Sequence, residues 1–129
     1  MFKFVPSVVA ATLALSTVVS AKPIPASLVA RDFQGQGTFY YQGGAFGACG
    51  QVHQDSDFII ALPESQYNGG SHCGQSVTIT DQSTGNTQTA TVADLCPGCS
   101  GDSIDMSVGL FTSFAAESVG VIPVSWNYN

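Results

Sequence analysis

The sequence predicts a mainly β domain, a compact barrel of about six short strands with one short helix and two disulfides. Alternation of polar and apolar residues recurs along the chain, whereas only one segment has the spacing of a helix. The chain of 129 residues also contains four cysteines, an even number that suits two disulfides in a small domain. We expect a single folded domain, because about 100 residues leave no room for a second one.

Four segments in the first part of the folded region have strand patterns. Residues 33–41 form a strand candidate interrupted by glycines, and the continuous apolar run at 57–62 suits a fully buried strand. The clearest signal is a hairpin, in which the alternating segments 77–80 and 89–92 flank a glycine-containing turn at 83–86. These patterns favour a sheet built largely from short, tightly connected strands.

Other segments predict the connections and the C-terminal part of the domain. Residues 63–70 have turn composition with space for one helical turn. Residues 107–116 carry apolar side chains at helical spacing, and Ser107 can cap the first free N–H groups. The last strand is expected at 122–128, where Pro123 favours an edge position or a bulge.

The N-terminal region has the composition of a targeting segment. A positive start, an apolar run at 8–19 and small residues before position 22 predict a signal peptide at 1–21. Residues 22–32 are then a leader or propeptide, and residues 33–129 form the domain. The apolar run is short for a membrane span, so we expect a secreted, extracellular protein that is not embedded in a membrane.

Charge restricts the classes of partner. No lysine or arginine follows Arg31, while all nine aspartates and glutamates lie beyond that residue. Contacts to phosphate need basic side chains, so nucleic acid and anionic lipid are excluded as partners. A neutral polysaccharide or a basic protein surface stays open, and we expect the protein to be a monomer.

The four cysteines predict two disulfides. Three pairings are possible, and we favour Cys49 with Cys73, which joins two β regions, and Cys96 with Cys99 as a local clip. A zinc site is the first alternative, but it needs four ligands and neither histidine has the required spacing. A redox pair is the second alternative, but Cys96 and Cys99 precede a turn, not the helix that lowers a thiol pKa. We expect no metal.

Several short blocks of the sequence occur in a distinctive order. They are Gly37-Thr38-Phe39-Tyr40, Ala48-Cys49-Gly50, the run at 57–62, His72-Cys73-Gly74, the segment 92–99 and Ile104-Asp105-Met106-Ser107. In this order they resemble the double-psi β-barrel proteins of the barwin, expansin and rare lipoprotein A superfamily. They are most similar to the single-domain fungal secreted branch, the loosenins and proteins similar to riboflavin aldehyde-forming enzyme. The resemblance covers residues 33–129 and implies a six-stranded double-psi β-barrel.

The resemblance also implies an open groove that binds polysaccharide. Its polar positions match Thr38, Asp94 and Asp105, and Tyr40 is a further candidate for contact with sugar. The chain departs from expansins at Cys96, where they have an aromatic residue, and it lacks their second domain. The other aromatic side chains that could stack on sugar rings are Tyr41, Tyr67, Trp126 and Tyr128. Trp126 also suits the core.

The resemblance implies a protein that binds cellulose, chitin or a related wall glycan and loosens it without hydrolysis. One alternative is a glycoside hydrolase or lytic enzyme with Asp105 as general acid and Asp94 as the second catalytic carboxylate. A related endoglucanase family on this fold has a separate catalytic base, and residues 33–47 contain no acidic residue that matches it. Hydrolysis would therefore lack the group that activates water. A second alternative is a protein-binding module, such as a cysteine-protease inhibitor or defence protein. In a purely structural role, Asp94 would organise a turn and Asp105 would cap a helix.

No cofactor is expected. The chain has no dinucleotide-binding glycine fingerprint and no other cofactor motif. The label of riboflavin aldehyde-forming enzyme, carried by relatives in the same branch, therefore finds no support in these residues.

Overall fold

A computed structural model describes residues 32–129 of the chain. The predicted signal peptide at 1–21 and nearly all of the predicted leader at 22–32 lie outside the described residues. The described part contains six strands, two short α-helices and two short 3₁₀ turns at Asn68–Gly70 and Glu117–Val119. In chain order they are β1 Phe33–Tyr40, β2 Ile59–Pro63, α1 Glu64–Tyr67, β3 Ser76–Asp81, β4 Thr87–Cys96, β5 Ile104–Ser107, α2 Val108–Thr112 and β6 Ile122–Tyr128.

The six strands form one closed barrel in the order β1-β5-β2-β4-β3-β6. The β1–β5 and β2–β4 pairs are parallel, and the other four pairs are antiparallel. The mainly β, six-stranded prediction is therefore confirmed. Two short α-helices are present where one was expected, because the predicted turn at 63–70 contains the single helical turn α1.

The core lies inside the ring and follows the alternation of the strands. On β3 and β6, alternate residues such as Val77, Ile79 and Val124 are fully buried. Trp126 is 1 % exposed, and its indole Nε1–H donates a 2.8 Å hydrogen bond to the Asp102 carbonyl oxygen. The Trp126 ring is thus a core side chain with its polar atom satisfied, and the expectation that it could stack on sugar is wrong.

The predicted hairpin is formed by β3 and β4. Val77 lies opposite Ala90 with both side chains buried, while the neighbouring pair Thr78 and Thr89 points outward. Gly85 adopts a φ of +83° in the turn, a conformation that side chains disfavour. The alternation therefore gave both the pairing and the face that each residue occupies.

The predicted helix at 107–116 is shorter in the structure. The helix α2 ends at Thr112, and the Ser107 hydroxyl caps it by accepting a hydrogen bond from the Leu110 N–H. Gly109 lies against the backbone of the 53–57 loop, where an added Cβ would be 2.5 Å from the Asp55 carbonyl oxygen. This close approach leaves no room for a side chain at position 109, so glycine is required within the helix. Contact with the 53–57 loop therefore helps to determine α2, in addition to the helix propensity of its residues.

The expectation of an edge position for Pro123 is wrong, since β6 pairs with β1 on one side and with β3 on the other. Pro123 is the second residue of β6. The pairing of β6 with β3 begins one residue later, at Val124, so the missing N–H of Pro123 breaks no hydrogen bond between these two strands. Its carbonyl oxygen still accepts a hydrogen bond from the Gln82 N–H.

Both predicted disulfides are present. Cys49 pairs with Cys73, and Cys96 pairs with Cys99. All four cysteines of residues 32–129 are therefore in disulfides. No helix among residues 32–129 is long and apolar enough to cross a bilayer.

Candidate functional site

Four neighbouring strands bring the predicted polar residues together on the outer surface of the barrel. Thr38 on β1 lies opposite Asp105 on β5, and Asp105 in turn lies opposite Ala61 on β2. Ala61 also lies opposite Asp94 on β4, so one row crosses β1, β5, β2 and β4. Residues opposite each other on adjacent strands share a face, so Ala61 forms a small-residue floor between the two carboxylates, whose Cα atoms are roughly 10 Å apart.

Asp105 is partly buried and is held by the neighbouring strand β1. The Thr38 hydroxyl donates a 2.9 Å hydrogen bond to Asp105 Oδ1. Burial raises the pKa of the Asp105 carboxyl above its ordinary value, and the nearby charge of Asp94 raises it further. The Thr38 hydrogen bond opposes that rise in pKa without cancelling it.

Asp94 is held by three donors. Its Oδ1 accepts hydrogen bonds from the Ala48 N–H at 2.7 Å and from the Leu95 N–H at 2.8 Å. Its Oδ2 accepts one from the Tyr40 hydroxyl at 3.0 Å. Burial and the charge of Asp94 raise the pKa of the Tyr40 hydroxyl, so this group stays protonated and remains a donor. Asp94 thus fixes the 42–52 loop and Tyr40 against the groove.

A surface cavity of about 330 Å³ adjoins the Thr38–Asp105 pair. It is lined by Gln36, Thr38, Cys96, Gly98, Cys99, Ser100, Ser103 and Asp105. Sequence reasoning identified Thr38 and Asp105 but missed the contribution of the Cys96–Cys99 clip, which forms one wall. It also missed Gln36 and the two serines, whose only signal was a polar, turn-forming composition.

The arrangement can bind hydroxyl groups, and its two carboxylates differ in the protein donors that they accept from. Asp105 could protonate a leaving oxygen, but Asp94 has both of its oxygens occupied by protein donors. No other carboxylate belongs to the described lining of the cavity. Activation of water needs a base within hydrogen-bond reach, and three of the roughly four acceptor sites of Asp94 are already used by protein donors.

The aromatic candidates differ in their exposure. Tyr40 is half-buried and engaged with Asp94, while Tyr41 is exposed and donates a hydrogen bond to Glu117. Phe46, which sequence reasoning missed, is 76 % exposed on the 42–52 loop. That loop contributes the Ala48 N–H to Asp94, so the most exposed aromatic ring is on the segment that borders the groove.

The remaining aromatic and histidine candidates lie away from this row. Tyr67 packs against the core, and Tyr128 is partly buried under the stacked ring of His72, 4.1 Å away between centroids. His53 forms a 3.3 Å pair with Asp57 and lines a separate cavity of about 250 Å³ beside the Cys49–Cys73 disulfide. Neither histidine belongs to the groove.

Comparison with known proteins identifies relatives of this domain. The sequence profile of the Barwin family matches residues 39–127. Kiwellin from Actinidia chinensis is 30 % identical over 118 residues, which are 80 % of this chain and 53 % of kiwellin. The allergen Asp f 7 homolog from Arthroderma benhamiae is 42 % identical over 82 residues, 60 % of this chain and 27 % of the allergen. The chain thus spans about half or less of these curated relatives.

Two solved structures share the fold. A mutant expansin of Clavibacter michiganensis, in complex with cellohexaose, superposes with a TM-score of 0.67 and 26 % identity, covering 76 % of this chain and 50 % of the expansin. A Streptomyces papain inhibitor superposes with a TM-score of 0.65 and 28 % identity, covering 76 % of this chain and 94 % of the inhibitor. These neighbours connect the barrel to one glycan-bound protein and one protease inhibitor.

Proposed function

The chain belongs to the Barwin family, and from this membership we propose that it is a secreted protein that binds cell-wall polysaccharide and loosens it without hydrolysis. The observation that carries the proposal is the row of Thr38, Asp105 and Asp94 across four adjacent strands. The expansin neighbour, which is bound to cellohexaose, supports a glycan as the ligand class.

The polar groups of the groove match an uncharged polyhydroxyl ligand. Asp105 accepts hydrogen bonds from the Thr38 hydroxyl and the Met106 backbone N–H, and the remaining acceptor sites of its two oxygens can accept sugar hydroxyls. A hydrogen bond from a neutral hydroxyl to a carboxylate is about twice as strong as one between neutral groups. Because residues 32–129 contain no lysine or arginine, the described domain has no permanently cationic side chain with which to hold an acidic glycan.

Loosening without hydrolysis follows from the same contacts. Chains in an ordered polysaccharide are held together by hydrogen bonds between hydroxyls. A groove that accepts hydrogen bonds from one chain competes for those hydroxyls, and it needs no bond cleavage to separate neighbouring chains. The occupied oxygens of Asp94 are consistent with this role.

The test is binding to microcrystalline cellulose and particulate chitin, with release of reducing ends measured on the same samples. We expect the wild type to bind at least one solid without releasing reducing ends. Asp105→Asn should weaken binding about fivefold, because the amide keeps the shape but loses the charge-assisted hydrogen bond. Glu64→Gln, which removes an exposed carboxylate on α1 that does not line the groove cavity, is the matched control and should bind as the wild type does. Unchanged binding by Asp105→Asn would exclude the groove as the binding site, and reducing ends would indicate a hydrolase.

Protein binding is a second candidate function, supported by the papain inhibitor neighbour. That inhibitor is covered over 94 % of its length, so it shares the single-barrel organisation of this domain. The exposed side chains of Tyr41, Phe46 and Val52 would supply an apolar contact. Inhibition of papain by the wild type, lost in Phe46→Ala, would support this function, and no inhibition at micromolar concentration would exclude papain as the target.

A further inference from the structure

The outer surface of strands β4, β3 and β6 carries a regular array of small uncharged polar side chains, which we call the hydroxyl face. Its nine members are Ser76, Thr78, Thr80, Thr87, Thr89, Thr91, Ser125, Asn127 and Asn129. None of the nine residues is buried. No charged side chain interrupts this hydroxyl and amide array across the three strands.

The array is arranged in three rows across the strands. In the first row Ser125, Thr80 and Thr87 are paired, and in the second row Asn127, Thr78 and Thr89 are paired. In the third row Ser76 pairs with Thr91 and receives a backbone hydrogen bond from the Asn129 N–H. Neighbouring positions are therefore about 4.8 Å apart across the strands and about 6.8 Å apart along them.

Hydrogen bonds within the face hold some of these side chains in place. Thr78 donates to the Asn129 side-chain oxygen, and Asn129 donates to the Ser76 hydroxyl. The Thr80 and Thr87 hydroxyls contact each other at 3.4 Å. A hydroxyl that donates one hydrogen bond still accepts others through its lone pairs, so the array is ordered and remains able to bind.

The hydroxyl face lies on the opposite side of the barrel from the groove. In the closed order β1-β5-β2-β4-β3-β6, β3 is three strands away from β5 in either direction. Asp105 on β5 is at the centre of the groove, whereas Thr78 on β3 is at the centre of the hydroxyl face. The two surfaces can therefore contact different ligands at the same time.

We propose that the hydroxyl face is a second binding surface, which docks on the ordered surface of a neutral polysaccharide. None of its nine side chains is charged, in a domain whose permanently charged side chains are all carboxylates, and one of these, Asp32, contacts Asn127 at the margin of the face. An uncharged surface matches an uncharged partner, because a charged partner would leave its charges unpaired on docking. Fixed rows of hydroxyls match a partner whose hydroxyls also repeat in fixed positions, which a single flexible chain does not provide.

The experiment compares solid and soluble glycan on the whole protein. Binding to microcrystalline cellulose and to particulate chitin is measured by depletion, and binding to soluble cellohexaose by calorimetry. Thr78→Val/Thr89→Val removes two hydroxyls from the centre of the face but keeps the branched shape that strands favour. Thr112→Val/Ser118→Ala removes two exposed hydroxyls from another side of the domain and is the matched control. Thr87→Val/Thr89→Val, at two exposed positions on β4, replaces the first variant if that variant does not fold.

We expect the face variant to bind the preferred solid about tenfold more weakly, with unchanged affinity for cellohexaose. The control should match the wild type in both assays. Asp105→Asn should weaken binding to cellohexaose, so failure of the groove proposal and failure of this one give different results. Equal binding of wild type and face variant to both solids would overturn the proposal. Loss of solid and soluble binding together in a folded face variant, or a wild type that binds cellohexaose but no solid, would overturn it as well.

Discussion

Breaking the two disulfides one at a time should separate stability from binding. Cys49–Cys73 closes a sequence separation of 24 residues, and Cys96–Cys99 closes one of 3. If a disulfide acts by restricting the unfolded chain, these separations correspond to about 3.4 and about 1.6 kcal/mol of stability. The variant Cys49→Ala/Cys73→Ala should therefore lose about 1.8 kcal/mol more than Cys96→Ala/Cys99→Ala.

The expected order for binding is the reverse. The Cys96–Cys99 clip lines the groove cavity, whereas Cys49 and Cys73 line a different one. Without the Cys96–Cys99 bond, the segment that forms one wall of the groove becomes mobile. This segment must then be ordered again when the ligand binds. If the full 1.6 kcal/mol returns as that ordering cost, polysaccharide binding weakens by up to about fifteenfold. Opening Cys49–Cys73 should weaken binding less while the domain is folded, because the Ala48 N–H still holds the 42–52 loop to Asp94.

Thermal unfolding and depletion assays at 20 °C test both parts. For a domain of about 100 residues, the expected losses lower Tm by about 17 °C and about 8 °C. A larger Tm loss for the short clip would refute the loop-length reasoning. Intact binding in the folded clip variant would refute the assignment of the clip to the groove.

Three further substitutions test particular contacts. Burial raises the pKa of Asp105 in the folded state, so ionisation of this carboxyl lowers the stability of the fold as pH rises through that pKa. Asp105→Asn should therefore have a higher Tm than the wild type at pH 7. The difference in Tm should shrink by pH 3, where the carboxyl is protonated. Trp126→Phe removes the hydrogen bond to the Asp102 carbonyl oxygen and core volume, and should cost about 2–3 kcal/mol in urea unfolding. Gly47→Ala would place a Cβ 2.6 Å from the Ala93 carbonyl oxygen, so the 42–52 loop must move. We expect the free energy of unfolding to fall by about 1–3 kcal/mol and glycan binding to weaken in the depletion assay.

Local patterns predicted the local parts of the fold. The alternation around Val77 and Ala90 gave the β3–β4 hairpin, since a short turn leaves few registers for the two strands. The pairing of Cys96 with Cys99 was predictable for a similar reason, as they are only three positions apart in the sequence. The helix cap at Ser107 was also visible in the sequence.

Features that depend on distant pairings were not predictable from the residues alone. Ala61 has nothing in its local sequence to mark it as the floor of a groove, and it acquires that position from the bulged parallel register of β2 with β4. The contact of Tyr40 with Asp94 joins residues 54 apart in sequence. Thr38 and Asp105 were assigned from family resemblance, because no periodicity shows that β1 and β5 pair in parallel.

Closure of the sheet restricts how another molecule can engage this domain. Each of the six strands at 33–128 pairs with a neighbour on both sides along at least part of its length, so none offers a free edge to an incoming strand. A peptide cannot extend this sheet by adding its own backbone, which is a common route to protein recognition. Partners must instead be selected by side chains and loops, and self-association through strand exchange would first require the ring to open.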